Sequence, residues 1–537
     1  MADTTSSQNT RGRASSAFSA SLLLMVSALL SGVLGLVRGK LIAHFFGVSG
    51  AVDAYTGAFQ LPDTISYLLI GGVASTTFVK LLTQYENEGR QTEGDLALSN
   101  VLNVMTLVLS AGLVLAGIFA PQYVRYVLEL RNPETAHLCV QLTRILLVNQ
   151  LLGFAGGIFG SRLLVRKIFI YQAVQPLLYN GGIIAGAVLL HARFGVHSLA
   201  YGAVVGAFFG FFLTYVIGAY SIGMRWSPIF NLRDPALREW VKLSLPLMLG
   251  QSLVTLDPWI RNHFAGHTEG AISLMSYSRQ LFNAPMNIIG PAAGAASLPF
   301  FASLWLKDKS AFNSAVNRSV SRLLAVSLLL TSVMIALAQP IIDVALRGGK
   351  FHGADASAAA SLFVLFCYSL VFWASQNLYA RAFYAVGNTL TPMISGTVVT
   401  VLSLPVYALL FRTHGIPGLV IASDIGIAAH MIALAVLLNR KGMVRVADLE
   451  WSELGKSSLA AILGGCAAAF SLRYLPQGTT FVTALLRLAT GTAAWFVVVV
   501  VVLLLTRSAL PAVVLRRKTK PASAAAPLIE ASDAPDR

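Results

Sequence analysis

Apolar runs of about 20 residues recur along almost the whole chain, and this feature restricts the fold more than any other. A helix of that length crosses a hydrocarbon layer of ~30 Å. The strands of a membrane barrel would alternate in polarity at every second residue, and these runs do not. Only 12% of the residues are charged, whereas soluble proteins have about a quarter. The sequence therefore predicts an all-α polytopic membrane protein.

The spacing of the apolar runs predicts fourteen transmembrane helices, so both ends of the chain lie on one side of the membrane. The predicted spans are residues 17–46, 53–83, 96–120, 136–161, 169–191, 197–221, 237–263, 271–304, 314–345, 356–386, 391–411, 416–438, 455–473 and 481–506. Arginine and lysine are more frequent in the loops on the N-terminal side, as at 162–167 and 440–445. The positive-inside rule therefore places both termini in the cytoplasm. The same bias explains most of the net charge of +16, so a nucleic-acid partner is not needed to account for it.

Two pairs of motifs indicate an internal repeat. The motif "HFFG" at 44–47 resembles "HFAG" at 263–266, and "GVASTTF" at 72–78 resembles "GAASLPF" at 294–300. Each pair is separated by about 220 residues, or six spans, and parallel repeats of this kind place a transporter's substrate between the halves. The predicted units are a cytoplasmic lead at 1–16, an N-lobe at 17–221, a linker at 222–236, a C-lobe at 237–438, an appended helix pair at 455–506 and a disordered cytoplasmic tail at 507–537.

Several charged side chains fall inside predicted spans, where a charge costs at least ~2.5–3.5 kcal/mol and normally faces protein or a wet cavity. Most are cations, namely Arg38, Lys40, Arg144, Arg261 and Arg279. A cationic cavity between two lobes suits an anionic substrate, because a planar guanidinium can bind two phosphate oxygens at once. Lys40, Asp53 and Arg261 lie near span ends, so an interfacial position is the alternative for them. Because every loop is short, we expect a transporter and not an enzyme.

Acidic residues are few within the spans, and Asp257 and Asp424 are the candidates for ion coupling. An ion gradient or the membrane potential would then drive the cycle, since moving one charge through the field is worth ~2.3 kcal/mol per 100 mV. No cofactor is expected. The three cysteines are far apart and the histidines lack a metal-ligand spacing, so neither a disulfide framework nor a metal site is predicted.

Two stretches resemble a known family. Residues 31–63, "SGVLGLVRGKLIAHFFGVSGAVDAYTGAFQLPD", are similar to the opening of the MurJ (MviN) lipid II flippases, and residues 381–392, "RAFYAVGNTLTP", are similar to the family's motif after span ten. The resemblance covers residues 20–515. It implies the multidrug/oligosaccharidyl-lipid/polysaccharide exporter fold, with two six-helix lobes around a cationic cavity and alternating access. It also implies a lipid-tail groove at the last two spans, where the Gly- and Ala-rich residues 455–473 permit either a furrow or close packing.

The resemblance also implies a substrate and a location. The substrate would be undecaprenyl-pyrophosphate-linked disaccharide-pentapeptide (lipid II), moved from the inner to the outer leaflet of the bacterial cytoplasmic membrane during peptidoglycan synthesis. The expected partners are this lipid-linked anionic glycan and the bilayer, with no nucleic acid, and we expect a monomer. The alternatives are an exporter of another polyprenyl-pyrophosphate oligosaccharide and a cation-coupled drug exporter of the same superfamily.

Individual positions match the family pattern only in part. Arg38 matches the second arginine of span one, and Asp53 matches the family's aspartate. The family's other charged positions fall here at Gly32, Ser66, Tyr67, Gly71 and the pair Arg279-Gln280. Lys40 and Arg144 are candidates to restore the missing positive charge. The expected substrate-binding residues are Arg38, Lys40, Arg144, Arg279, Gln280 and Asp53.

Overall fold

Nearly all of the described chain is helical, because a backbone inside the bilayer must satisfy its hydrogen-bonding groups internally. The computed structural model describes residues 4–69, 73–242, 256–476 and 480–511, and every structural statement here refers to that part of the chain. Within it, no strand occurs beyond one isolated bridge. The predicted all-α class is confirmed.

The helices before residue 242 form the first bundle, which we call the N-lobe. Helices α1 to α9 are Thr4–Phe46, Gly50–Leu69, Val73–Asn87, Gln91–Tyr123, Pro133–Val165, Ile170–Leu189, His191–Phe194, His197–Ala207 and Thr214–Ser221. Two π-helical turns, Val124–Leu128 and Phe208–Leu213, follow α4 and join α8 to α9. The side chain of Asn132 accepts hydrogen bonds from two backbone N–H groups of the first turn of α5, and Pro133 occupies its first position. The sequence therefore fixes where α5 begins.

A second set of helices follows residue 255, and we call α10 to α16 the C-lobe. Helices α10 to α18 are Leu256–Ala265, Ala271–Lys307, Lys309–Ala336, Ala338–Ala345, Gly353–Ala385, Leu390–His414, Ile416–Arg440, Trp451–Ser471 and Phe481–Leu505. Two 3-10 turns, Val446–Asp448 and Leu472–Tyr474, follow α16 and α17. Asp308 separates α11 from α12 and caps α12 by accepting hydrogen bonds from two backbone N–H groups.

Ten of the described helical stretches are long and apolar enough to cross a membrane. The chain is a multi-pass membrane protein. Some predicted bounds agree closely with the helices, since span 416–438 is α16 and span 481–506 is α18. The predicted span 314–345 is instead two helices, α12 and α13, because the backbone leaves the helical conformation at Leu337.

Two other predicted spans meet the limits of the described residues. Span 53–83 contains α2 and α3, which lie on either side of residues 70–72. Span 237–263 lies only partly within the described chain, where its last residues belong to α10. The count of fourteen spans therefore stays a prediction.

In the N-lobe, the segment that follows α9 folds back onto α4. The Asn100 amide donates to the Asn231 carbonyl at 2.9 Å and accepts from the Asn231 N–H at 2.7 Å. The Asn103 amide donates to the Ser227 carbonyl at 2.8 Å. The buried side-chain amides of α4 therefore hold this connecting segment by hydrogen bonds to its backbone groups, much as a neighbouring β-strand would.

The C-lobe repeats this arrangement on α12. Asn313 accepts from the Arg445 N–H at 2.7 Å, and the Asn317 amide donates to the Arg445 carbonyl at 2.9 Å. Helices α4 and α12 hold the third predicted span of each lobe, and both clamped segments follow the sixth. The matching clamps support the parallel repeat that the sequence indicates.

The motif pairs of the repeat are described in part. In "HFFG", Gly47 has a φ of +64° and ends α1. In "HFAG", a Cβ on Gly266 would lie 1.9 Å from the Leu128 carbonyl oxygen, so a side chain is excluded just after α10. The other pair cannot be compared in the same way, because Gly72 lies outside the described residues.

The appended helices α17 and α18 pack on each other and on α12. A Cβ on Gly464 would lie 2.5 Å from a methyl group of Val499, so the two helices approach closely there. The Trp495 indole N–H donates to the Ser332 hydroxyl at 2.9 Å, which fixes α18 to the C-lobe. The small residues of α17 therefore serve close packing on this side.

Candidate functional site

A cavity of about 450 Å³ lies between the two lobes. Gln60 and Asp63 on α2 line it from the N-lobe. Asp257 and Arg261 on α10, with Arg279 on α11, line it from the C-lobe. Its position between the halves is the one that a parallel repeat predicts for a substrate site.

The Asp257 carboxylate organises the C-lobe wall of this cavity. Its Oδ2 atom lies 3.0 Å from Arg261 Nε and 3.5 Å from Arg279 Nη1. Its Oδ1 atom accepts hydrogen bonds from the hydroxyls of Tyr407 and, at 3.1 Å, Ser423. Two guanidinium groups and one carboxylate leave this cluster one net positive charge. Guanidinium groups bind carboxylate and phosphate oxygens through strong charge-assisted hydrogen bonds.

The two arginines of the cluster differ in exposure. The Arg261 side chain is 5% exposed, and its guanidinium carbon lies 5.9 Å from the centroid of the Phe366 ring. The Arg279 side chain is 31% exposed and makes the longer contact with Asp257. Arg279 is therefore the guanidinium that can turn to a ligand, whereas Arg261 is a fixed positive charge.

Arg38 approaches the cavity from the N-lobe. Its Nη1 donates to Asn180 Oδ1 on α6 at 2.9 Å, and the Asn180 amide donates in turn to the Ser31 hydroxyl at 3.2 Å. Its charge interacts electrostatically with Asp63 on the cavity wall, although no ion pair joins the two in the described chain. The N-lobe therefore orients Arg38 near the wall opposite Arg279.

Gln280 and Asp53 join the lobes and are not among the residues that line the cavity. The Gln280 amide donates to the Gly35 carbonyl at 2.6 Å. The buried Asp53 carboxylate accepts from the backbone N–H of Gly270 and, at 2.7 Å, from that of Ser273. These two donors open α11, so Asp53 on α2 caps a helix of the other lobe.

Further contacts close the cavity where α1 ends and α2 begins, which we call the closed end. The Tyr277 hydroxyl donates to the Gly47 carbonyl at 3.0 Å. The Lys350 N–H donates to the His44 carbonyl at 2.9 Å. Both bonds join the N-lobe to the C-lobe, as the Asp53 cap does.

Lys40 and Arg144 point away from the cavity. Lys40 Nζ donates to the Val344 carbonyl at 2.7 Å and lies 5.0 Å from the centroid of the Phe481 ring. The exposed Arg144 donates from Nε to the Gly117 carbonyl on α4 at 2.9 Å. Neither belongs to the described cavity lining, and of the six expected substrate-binding residues only Arg279 does.

A second cavity, of about 380 Å³, lies within the C-lobe between α10, α14, α15 and α16. Asp257 and Trp373 line both cavities and form the wall between them. Asp424 on α16 hydrogen-bonds with Ser369 and interacts electrostatically with Asp257. The two candidate ion-coupling carboxylates are therefore neighbours. The described residues contain no cluster of three or more His, Cys, Asp or Glu side chains that could hold a metal ion.

The charge of the cavity differs from the expected cationic one. Its described lining contains two carboxylates, Asp63 and Asp257, and two guanidinium groups, Arg261 and Arg279. The sequence analysis overlooked Asp63, although Thr56, Gln60 and Asp63 lie at helical spacing along one polar face of α2. That stripe in an apolar helix is the signal that would have found it.

Comparisons with known proteins agree with this architecture. The family model for the lipid II flippase MurJ matches residues 42–489. The chain is 24% identical over 429 residues to the probable lipid II flippase MurJ of Borreliella burgdorferi, which covers 79% of this chain and 83% of that protein. It is 28% identical over 446 residues to the lipid II flippase MurJ of Burkholderia cenocepacia, with 78% and 84% covered.

Two solved structures share the fold. A lipid II flippase MurJ in an inward closed conformation has a TM-score of 0.74 at 21% identity, covering 90% of this chain and 99% of that one. An inward-facing multidrug resistance MATE family transporter of the MOP superfamily has a TM-score of 0.62 at 15% identity, covering 81% and 99%. Both matches confirm the expected fold, and the family model supports the expected transporter. Because the family model matches most of its length, the chain belongs to the lipid II flippase MurJ family.

Proposed function

We propose that this protein moves lipid II, the undecaprenyl-pyrophosphate-linked peptidoglycan precursor, from the inner to the outer leaflet by alternating access. The observation that carries the proposal is the cluster of Arg279, Asp257 and Arg261 in a cavity between two lobes. Arg279, the more exposed and more loosely held of its two guanidinium groups, supports a pyrophosphate ligand. Family membership supports the choice of lipid II. The loop charges support an orientation with both termini in the cytoplasm. The bacterial relatives support the bacterial cytoplasmic membrane as the location.

Binding begins with an exchange of partners at Arg279. Before substrate arrives, Asp257 holds Arg279 through a contact of 3.5 Å. A pyrophosphate carries more negative charge than one carboxylate, so it competes for Arg279, and Arg38 reaches it from the other lobe. Asp257 keeps its shorter contact with Arg261 and its two hydroxyl donors, so no unpaired charge is left buried.

The same exchange couples binding to ions. Once Arg279 turns to the substrate, Asp257 and Asp424 share only Arg261 as a nearby cation. Neighbouring carboxylates with too little positive charge favour the uptake of a proton or a metal cation. An ion gradient or the membrane potential can therefore bias the cycle through these two residues.

The lipid tail stays in the bilayer while the head group crosses. The outward faces of α17 and α18 expose apolar side chains, among them Leu459, Ile462, Phe481 and Leu485, and we place the prenyl chain along them. The lobes then rock apart at the closed end, where the Asp53 cap and its neighbouring contacts break, and meet at the opposite end.

Complementation of a bacterium depleted of its own lipid II flippase tests this function. The wild-type protein should restore growth, and Arg279→Gln and Arg38→Gln should not. Arg144→Gln is the matched control, because it removes the same charge from an exposed position outside the cavity. If the wild-type protein reaches the membrane and growth still fails, lipid II is not the substrate. If cells with Arg279→Gln grow, the proposed contact between Arg279 and pyrophosphate is refuted.

Another polyprenyl-pyrophosphate oligosaccharide is the second candidate substrate. Ser66, where the resemblance places a family arginine, hydrogen-bonds with Gln150 instead, so this part of α2 is neutral. Binding of a different glycan on the same lipid carrier, with lipid II excluded, would select this candidate. A cation-coupled drug exporter would instead lose efflux in Asp257→Asn and keep it in Arg279→Gln.

A further inference from the structure

Asp63 is the cavity carboxylate that has no direct partner among the described residues. Its side chain is exposed, although α2 places it in the wall between the lobes. The described residues give this side chain neither a hydrogen bond nor an ion pair, and Arg38 acts on it only at longer range. Asp257, by contrast, is fully occupied by four donors. Asp63 is therefore an available negative charge in the space proposed for the substrate.

The same face of α2 offers a second group for polar contact. Gln60 lies about one turn before Asp63 and lines the same cavity. Its carbonyl oxygen accepts from the Asn262 amide at 2.6 Å, but its own buried Nε2 has no hydrogen-bond partner in the described chain. A buried donor of this kind is costly unless a ligand satisfies it.

An exposed carboxylate is unfavourable in a site for a purely anionic ligand. It repels phosphate oxygens, and it loses water when the lobes close around a head group. A cation on the ligand removes both penalties by forming a charge-assisted hydrogen bond with the carboxylate. The opposite wall, with Arg279, supplies the positive charge that the phosphates need.

We propose that Asp63 binds a protonated primary amine of the lipid-linked substrate while Arg279 binds its pyrophosphate. The inference rests on the proposed function and specifies its substrate class as a zwitterionic lipid-linked glycan with a free amine. The N-lobe wall then recognises the cation of the head group, and the C-lobe wall recognises its anion. Substrates without the amine fit the cavity, but they leave the negative charge of Asp63 without a cation and therefore bind more weakly.

Two matched ligands test this inference. One is undecaprenyl-pyrophosphate disaccharide-pentapeptide with a free side-chain amine, and the other is the same molecule acetylated at that nitrogen. Their affinities are measured with the purified full-length protein in lipid nanodiscs at neutral pH. The wild-type protein should bind the free amine about tenfold more tightly or better. Asp63→Asn should lose this preference by weakening the free-amine ligand alone.

Glu134→Gln is the control variant, because it removes a carboxylate from the exposed start of α5. It should keep the full preference for the amine. Equal affinity of the wild-type protein for both ligands overturns the inference, as does a preference that survives Asp63→Asn. If Asp63→Asn weakens both ligands by the same factor, the residue positions Arg38, and contact with the amine is excluded.

Arg279→Gln distinguishes this inference from the proposed function. It should weaken both ligands equally, because both carry the pyrophosphate. If Arg279→Gln weakens both ligands equally and the wild-type protein binds the free and the acetylated ligand with equal affinity, only the amine contact is refuted. If neither ligand binds the wild-type protein, the proposed function falls and the inference falls with it. A preference that disappears with a metal chelator would assign Asp63 to a divalent cation and also overturn the amine contact.

Discussion

Among single residues, Glu129 shows how a charge outside the spans contributes to closing the lobes. The His267 Nε2 donates to its carboxylate at 2.6 Å, between the end of α4 and the end of α10. This hydrogen bond is the main cause that lowers the pKa of Glu129 from its usual 4.5. A lowered folded-state pKa stabilises the protein above the unfolded value, and the contribution disappears as the pH falls through the folded value.

Glu129→Gln should therefore lower the melting temperature at neutral pH, and the difference from wild type should shrink progressively as the pH falls below 4.5. Because the Glu129 side chain is 43% exposed, the loss should stay under about 1 kcal/mol. Thermal unfolding of both proteins across a pH series measures it. A difference that persists or grows in acid would contradict the assignment.

The residues of the site could be predicted from the sequence only where a charged side chain interrupts an apolar span. Arg38, Arg279 and Asp257 stand out in apolar helices, so the sequence analysis selected them. It selected Arg144 for the same reason, but the contact with Gly117 that turns this side chain outward depends on how α4 packs on α5. Asp63 was missed although its polar stripe with Thr56 and Gln60 could have placed it in a cavity wall. That it has no direct partner among the described residues depends on packing, which the sequence does not give.

At the scale of helices, close approach between α6 and α8 depends on glycine. A Cβ on Gly202 would lie 2.5 Å from the Gly182 carbonyl oxygen, and one on Gly186 would lie 2.3 Å from the Ser198 carbonyl oxygen. Backbone atoms cannot yield as a flexible side chain does. The two helices can therefore touch only while these positions lack side chains.

Gly202→Val should force α6 and α8 apart and destabilise the N-lobe by about 1–3 kcal/mol or more. Gly181→Val is the matched control, since a Cβ at that position of α6 meets nothing within 4 Å. Melting temperatures of the two variants in the same detergent test this prediction, and that of Gly202→Val should be the lower. Equal losses in both would show that the crossing of α6 and α8 tolerates side chains.

Helix positions were largely predictable because length and polarity determine them. The apolar run at 481–506 became Phe481–Leu505, and the run at 416–438 became Ile416–Arg440. A long apolar segment in a bilayer has no alternative to a helix, so local sequence suffices. The break at Leu337 has a signal in Pro340, which has no N–H for the carbonyl four residues earlier, but the predicted span was drawn through it on hydropathy alone.

In the whole molecule, two lobes must move while their connections stay attached. Asn100 holds the connecting segment of the N-lobe as far as Asp234, to whose carboxylate it donates at 2.8 Å. Asn313 and Asn317 hold the corresponding segment of the C-lobe. Each lobe therefore carries its own connecting segment as part of a rigid unit. When the lobes rock, the chain that joins them must change conformation at a point after Asp234.

A cross-link at the closed end should stop this motion. Cysteines at His44 and Lys350, whose backbones meet at 2.9 Å, should form a disulfide and hold the lobes together. The exposed Cys466 is first changed to serine, and that variant alone under oxidant is the control. Oxidation should abolish lipid II movement in proteoliposomes, and reduction should restore it. Transport by the fully cross-linked protein would exclude alternating access at this end.

The wall shared by the two cavities has a pharmacological consequence. Asp257 and Trp373 face the interlobe cavity on one side and the C-lobe cavity on the other. A small apolar compound lodged in the C-lobe cavity would press on the carboxylate that must release Arg279. An inhibitor could thus arrest the carrier without imitating a charged lipid or competing with it for its site.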